Sequence, residues 1–239
     1  MAPPAALIAR WQPRSILEQP LDLKKTAMEA AHAFSSDIAF TPSIKAVQAR
    51  KDSRQVYRRM EERGSWQTRI TPELAAFIEA QTSIFLATVS AEGQPYIQHR
   101  GGPVGFLRVL DDKTIGFVDY SGNRQYITQG NLSDNPKAHL FLIDYTRRRR
   151  IKIWGEARVV EGDAELTAKL MPIGYKARSE QVILFTVSAW DANCSQHIPQ
   201  RFEAADVAAA LVERDKRIEV LEEEIKRLRG GEERDWAQR

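Results

Sequence analysis

The chain reads as a mainly β protein, an antiparallel barrel with helices on its flanks, and three features lead to that reading. Short, apolar, β-prone runs follow one another from residue 83 onward. Gly, Asp, Asn and Pro close these runs at turn-like intervals. The helical stretches between them are short, which favours a barrel of antiparallel strands over a parallel sheet covered by crossover helices.

Taken in order, residues 1 to about 41 carry Pro3, Pro4, Pro13 and Pro20, with Pro42 just beyond and a short helical stretch around residues 24–34. Such a segment predicts an arm that lies on another surface. Over residues 43–63, Ile44, Val47, Val56, Tyr57 and Met60 fall at helix-compatible spacings, and Gly64 is placed to end that helix. The next helix has a full start signal: Thr71 as N-cap, Pro72 at the first helical position, Glu73 in the first turn, then Leu74, Phe77 and Ile78 on one face.

Residues 84–89, the turn at 91–94 and residues 95–100 predict a β-hairpin, and residues 104–110 with 114–120 predict a second one about the turn at 111–113. A short helix over residues 123–132 and the turn Asp134-Asn135-Pro136 come next. Residues 138–144 and 150–160 form a third hairpin joined by an arginine-rich loop, followed by a helix near 164–170 and a strand at 182–190. In the third hairpin Ile151, Ile153, Ala157 and Val159 alternate with Arg150, Lys152, Glu156 and Arg158, so the first set points inward.

Residues 204–229 carry the clearest helical pattern: Val207, Leu211, Ile218, Leu221, Ile225 and Leu228 keep a three-four spacing, interrupted by Arg214, before Gly230-Gly231. Its apolar stripe suits a helix packed along its own barrel or one paired between subunits. The chain therefore divides into an N-terminal helical arm (1–70), a barrel domain (71–202) and a C-terminal amphipathic helix with tail (203–239).

Composition removes several function classes. A net charge of +3 over 239 residues is too small for a dedicated nucleic-acid binder. The single cysteine, Cys194, excludes an internal disulfide framework and fits a reducing, cytoplasmic setting. The N-terminus MAPPAALIARWQPR lacks a basic segment ahead of a long apolar run, and no stretch is long enough for a membrane span. His32, His99, His139 and His197 never fall at metal-ligand spacing, so no metal is expected. Nucleophile-elbow, Walker A and dinucleotide-binding glycine motifs are missing as well.

What remains is a set of arginines where strands end. Arg100 precedes Gly101-Gly102-Pro103, Arg108 lies in the following strand, Arg124 follows Ser121-Gly122-Asn123, and Arg150 opens a strand. The turn before Arg124 offers backbone N–H groups and small side chains at a helix start, which with a guanidinium suits a phosphate. Arg147, Arg148 and Arg149 sit at a hairpin tip without interleaved aromatics, a solvated loop more than a nucleic-acid patch.

These residues carry a resemblance. The run I-G-F-V-D-Y-S-G-N-R-Q, then N-P-K-A-H-L-F-L-I-D-Y and R-R-I-K-I-W-G-E-A-R-V-V, resembles the FMN-binding core of the pyridoxamine 5′-phosphate oxidase family over residues 84–160. The resemblance implies a six-stranded antiparallel split β-barrel that holds FMN, with two barrels about a two-fold axis and a cofactor site at each interface. Carried over by position, the first flavin-contacting strand falls on Pro103, Val104, Gly105, Phe106, Leu107 and Arg108, the last standing where a lysine is usual. Val118 and Asp119 fall beside the flavin and its phosphate, and Arg124 falls on the phosphate-binding arginine. Gln125 replaces a following lysine, and Arg150 replaces a glutamine that contacts the ring.

The C-terminal motif of the vitamin B6 oxidase is replaced by W-D-A-N-C-S-Q-H-I, which points to a separate branch. In that ending, Cys194 is read as structural. Trp190 is open between an aromatic wall for the flavin and core packing. The function implied is an FMN-dependent oxidoreductase acting on a small molecule with a nicotinamide nucleotide or oxygen as redox partner. A flavin-binding or sensing protein without turnover is the first alternative, and a nucleic-acid or scaffold protein the second.

Overall fold

The structure, a computed structural model, describes residues 33–193 and 195–236. The expected helix around residues 24–34 lies outside the described residues up to position 32, and so does Cys194. A short 3-10 helix, Ser35–Ile38, leads into α1 (Pro42–Arg50) and α2 (Arg54–Glu62). The single helix expected over residues 43–63 is thus two. Asp52 breaks it with a left-handed φ of 59°, a conformation that Asp tolerates better than most residues.

Charge pairs and an aromatic stack fix this helical segment. The Glu61 carboxylate, fully buried, pairs with Arg54 and lies 3.9 Å from Lys45, which in turn lies 2.5 Å from Asp37. Phe40 contacts both Tyr57 and Trp66, and Trp66 stacks on Trp154 of the sheet with ring centroids 4.6 Å apart. His139 meets Trp154 edge-on. Burial first, and the Lys152 charge second, push the His139 ring down to about 4, so it packs here as a neutral aromatic.

Helix α3 (Pro72–Glu79) starts as expected: the Thr71 hydroxyl accepts the Leu74 N–H at 3.2 Å, and Leu74, Phe77 and Ile78 are buried. The strands are β1 (Ser83–Val89), β2 (Pro95–Gly101), β3 (Arg108–Val109), β4 (Thr114–Tyr120), β5 (Lys137–Asp144), β6 (Arg149–Val160) and β7 (Ser179–Asn193). Between them stand α4 (Ile127–Asp134) and α5 (Ala164–Leu170). All seven strands enter one antiparallel sheet in the order β2-β1-β5-β6-β7-β4-β3.

This corrects the six-stranded barrel. The described residues hold seven strands, and among them no ladder joins the two edge strands β2 and β3, so the hydrogen-bonded sheet is open. The expected strand over residues 104–110 shrinks to Arg108–Val109. Pro103 has no N–H to give a ladder, Gly105 takes a φ of +83°, and the Phe106 N–H closes a turn onto the Pro103 carbonyl at 2.9 Å. Phe106 and Leu107 are consecutive yet both buried, which a strand facing solvent on one side does not allow.

The alternation read in β6 is present, with Ile151, Ile153 and Ala157 buried and Glu156 and Arg158 exposed. These residues join Ile84, Leu86, Leu140, Leu142, Phe117 and Phe185 in the main core, which α3 closes. A smaller cluster of Val118, Leu170, Val182 and Leu184 sits on the other face of β4 and β7 under α5. Both faces of these two strands are covered there, which is why their apolar runs are continuous.

Helix α6 (Ala204–Trp236) runs on through Gly230-Gly231, where the sequence predicts a stop. Glycine in a helix interior costs only about 1 kcal/mol, so it ends a helix only where the chain beyond turns away. Nor do residues 204–229 of α6 pack on the sheet, since every residue from 201 to 229 is exposed. No helix among the described residues is long and apolar enough to cross a membrane.

Candidate functional site

The curl of the sheet brings edge strand β2 across to β4, although four strands lie between β2 and β4 in the hydrogen-bonded order. Arg100 of β2 and Asp119 of β4 make the junction, with Nε 2.8 Å from Oδ1. The approach is off the hydrogen-bond line, so the contact is an ion pair rather than a bond through Nε–H. The guanidinium also donates to the Thr128 hydroxyl at 3.3 Å, and Gln181 of β7 donates to the second Asp119 oxygen at 3.0 Å. Gln98 accepts from Thr128 at 3.3 Å and from Tyr96 at 3.1 Å.

Above this network lies a polar cavity of about 220 Å³. Its floor is Gln98, Arg100, Asp119 and Gln181, and its rim is the loop from Gly122 to Tyr126 with the first turn of α4. The helix expected over residues 123–132 begins only at Ile127, because Arg124 and Tyr126 both take left-handed conformations, at φ 59° and 54°. Arg124 therefore stands before the helix and not in it. No side chain caps α4, so the N–H groups of its first turn offer partial positive charge to the cavity.

Arg124 is exposed on the rim. Its Nε donates to the Tyr126 hydroxyl at 2.9 Å, and that hydroxyl donates to Glu180 at 2.5 Å. The bond from Tyr126 first, and that from Ser121 second, hold the Glu180 carboxyl below its usual range. The same Tyr126 contact pushes Arg124 further up, so the guanidinium stays charged.

Of the residues singled out in the sequence, Arg100, Asp119, Gly122, Asn123, Arg124 and Gln125 line this cavity together. The others do not. Pro103, Val104, Gly105, Phe106 and Leu107 form the turn before β3, with Phe106 and Leu107 in the core and Val104 exposed. Arg108 folds back so that its guanidinium carbon is 3.8 Å from where a Gly105 Cβ would stand, and its buried Nε has no hydrogen-bond partner among the described residues.

Val118 packs under α5, on the face away from the cavity. Arg150 pairs with Asn193 at the far end of β6, and Trp190 packs on the main core, its indole donating to the Arg69 carbonyl at 2.8 Å. Arg147 is tied to Asp144, and Arg149 lies over the Phe77 ring. Sequence reasoning passed over Tyr96, Gln98, Thr128, Gln181 and Glu180. One signal was available: Tyr96, Gln98 and Arg100 share one face of β2, a run of polar residues on the side that Ile84 and Leu86 take in the neighbouring strand.

Residues 70–194 match the family described as pyridoxamine 5′-phosphate oxidase, which is more than half of the 239 residues. The chain belongs to the pyridoxamine 5′-phosphate oxidase family. The match takes in the whole sheet and every residue of the cavity, and extends beyond residues 84–160, where the motifs stand. No curated protein matches the chain. Among solved structures, HupZ of Group A Streptococcus is similar at 23% identity with a TM-score of 0.41, over 56% of this chain and 99% of that one. An FMN-binding protein from Syntrophomonas wolfei is similar at 16% identity and a TM-score of 0.39, over 61% of this chain and 97% of its own. HutZ, the heme storage protein from Vibrio cholerae, is similar at 17% identity and a TM-score of 0.36, over 52% and 94%.

Proposed function

We propose that this protein binds FMN, with the phosphate in the cavity between β2, β4 and α4, and that it acts as a cytoplasmic homodimer in which two chains complete each site. The observation that carries this reading is the rim of the cavity. A charged guanidinium from Arg124, the Asn123 and Gln125 side chains and an uncapped helix start converge there, a donor set suited to a dianionic phosphate. Arg100 contributes less, because Asp119 already neutralises it. The family match includes all of these residues.

The size of the cavity supports a shared site. About 220 Å³ is below the roughly 300–1,000 Å³ of pockets that enclose a whole drug-sized ligand. One chain thus accommodates the phosphate end and leaves the ring to be covered from elsewhere. Arg150 and Trp190 fit that role from a second chain: they stand at the opposite end of β6 and β7 from Gln181, roughly 30–40 Å away along the strands. Residues 1–70 then form an arm, 71–202 the binding domain and 203–239 a helical extension.

FMN supplies hydride and electron transfer when bound. The chain's own part is to hold the phosphate through Arg124 and to keep positive charge near the ring edge through Arg108 and Arg150. Among the described residues the buried Arg108 Nε has no hydrogen-bond partner, which supports a role in meeting an acceptor that binding brings. The reaction proposed is oxidation or reduction of a small molecule with a nicotinamide nucleotide or oxygen as redox partner. Arg124→Ala is expected to weaken FMN binding on the order of tenfold, and Arg147→Ala to leave it unchanged, in titrations followed by flavin fluorescence. Equal small losses in the two variants would place the phosphate elsewhere.

A further inference from the structure

Helix α6 is 33 residues long, roughly 50 Å at 1.5 Å per residue, and among the described residues nothing covers its apolar stripe. Val207, Leu211, Ile218, Leu221, Ile225 and Leu228 are each 43–57% exposed, so about half of every side chain on the stripe lacks a neighbour. We infer that α6 forms a parallel, in-register, two-stranded coiled coil with α6 of a second copy of this chain. The inference is independent of the flavin reading and stands on the helix alone.

The stripe falls on a heptad repeat. Leu211, Ile218 and Ile225 take the a positions, and Val207, Arg214, Leu221 and Leu228 take the d positions. Ile at a with Leu at d, as in Ile218-Leu221 and Ile225-Leu228, favours two strands over three or four. Arg214 is the single polar residue in the seam. A polar residue there weakens the pair but penalises shifted registers, and its long stem lets the charge reach solvent; it already turns to Asp215 at 3.2 Å.

Charge decides the direction. In a parallel pair each g position faces the following e position of the partner. That sets Arg217 against the partner's Glu222, and Glu224 against the partner's Arg229, opposite charges each time and repeated by the two-fold axis. An antiparallel pair that aligns the same apolar residues sets Asp215 against the partner's Glu222, which repel, and Arg217 against the partner's Glu224, which attract. Its two attractive contacts are thus offset by two repulsive ones, where the parallel pair has four attractive contacts. A parallel pair also puts the two-fold axis along the helices, so both sheet domains lie at the same end of it.

The test uses full-length chains in which Cys194→Ser removes the native thiol. In a parallel, in-register pair, Leu228→Cys places two thiols across the seam, where the roughly 4.4–6.8 Å Cα separation of a disulfide is met. An antiparallel pair places them about 25 Å apart, with Leu228 opposite the partner's Leu211. Under mild oxidation, Leu228→Cys is expected to form a covalent dimer at least ~10-fold faster than Glu223→Cys on the outer face, as read on non-reducing gels. Adding Arg217→Glu should slow the reaction, and Arg217→Glu with Glu222→Arg should restore it. The inference is overturned if Leu228→Cys and Glu223→Cys react alike, if neither reacts, or if only a mixture of Leu211→Cys and Leu228→Cys chains links. FMN titration of the same proteins keeps the two readings separate, since unlinked chains that still bind FMN refute the helix pairing alone.

Discussion

Gly155→Ala is expected to destabilise the fold by about 3 kcal/mol or more, in the upper range for overpacking a core. A Cβ at Gly155 would stand 2.0 Å from the Thr186 carbonyl oxygen and 2.7 Å from the Phe185 ring. The carbonyl belongs to β7, which is paired on both sides, so it cannot retreat without breaking a ladder. The close approach arises from a bulge, since the register of β6 on β7 shifts between Trp154 and Gly155, and bulges bend strands toward one another. Gly130→Ala is the matched control. It lies in α4 with open space around the position, where alanine is expected to stabilise by about 0.5–1 kcal/mol. Urea denaturation of both variants checks the contrast, and an equal response would mean that β6 and β7 do not approach this closely.

Asp119→Ala has the second largest expected effect, because it strands a charge. Arg100 and Asp119 are only 14% and 13% exposed in their side chains, and removing one member of a buried pair costs about 3–5 kcal/mol. Contact with the cavity gives some solvent screening, so a loss of about 2–3 kcal/mol is expected. The double variant Arg100→Ala with Asp119→Ala should lose less than the sum of the single variants, since it leaves no orphan charge. A double-mutant cycle by urea denaturation reads this directly, and strict additivity would show that the two residues do not couple. The pair is the described side-chain link that holds β2 over β4, so the same loss should loosen the cavity.

Local signals were legible in the sequence wherever a residue acts on its own neighbours. Thr71 and Pro72 announce α3 because capping is settled within one turn, and residues 164–170 form α5 at those bounds, opened by the Asp163 cap. The parity of β6 was legible because its buried face is uniform. Features that depend on tertiary contact were not. Phe106 and Leu107 look β-prone, yet they fill the core from a turn made by Pro103 and Gly105. Strand β7 gains Ser179 to Gln181 and Asp191 to Asn193 because β4 and β6 pair with these residues, whatever their own propensity. In the candidate site, the turn Ser121-Gly122-Asn123-Arg124 was visible from its small residues. The Arg100–Asp119 pair was not, since only the curl of the sheet brings together residues nineteen positions apart on different strands.

Titration of the purified chain with FMN and, in parallel, with riboflavin tests the central claim most directly. Saturable quenching of flavin fluorescence by FMN is expected with a dissociation constant of about 1 μM or tighter, roughly 8 kcal/mol of binding free energy. Riboflavin, which lacks the phosphate, is expected to bind markedly more weakly. No saturable change with FMN would contradict the account, and riboflavin binding as tightly as FMN would remove the phosphate site from it.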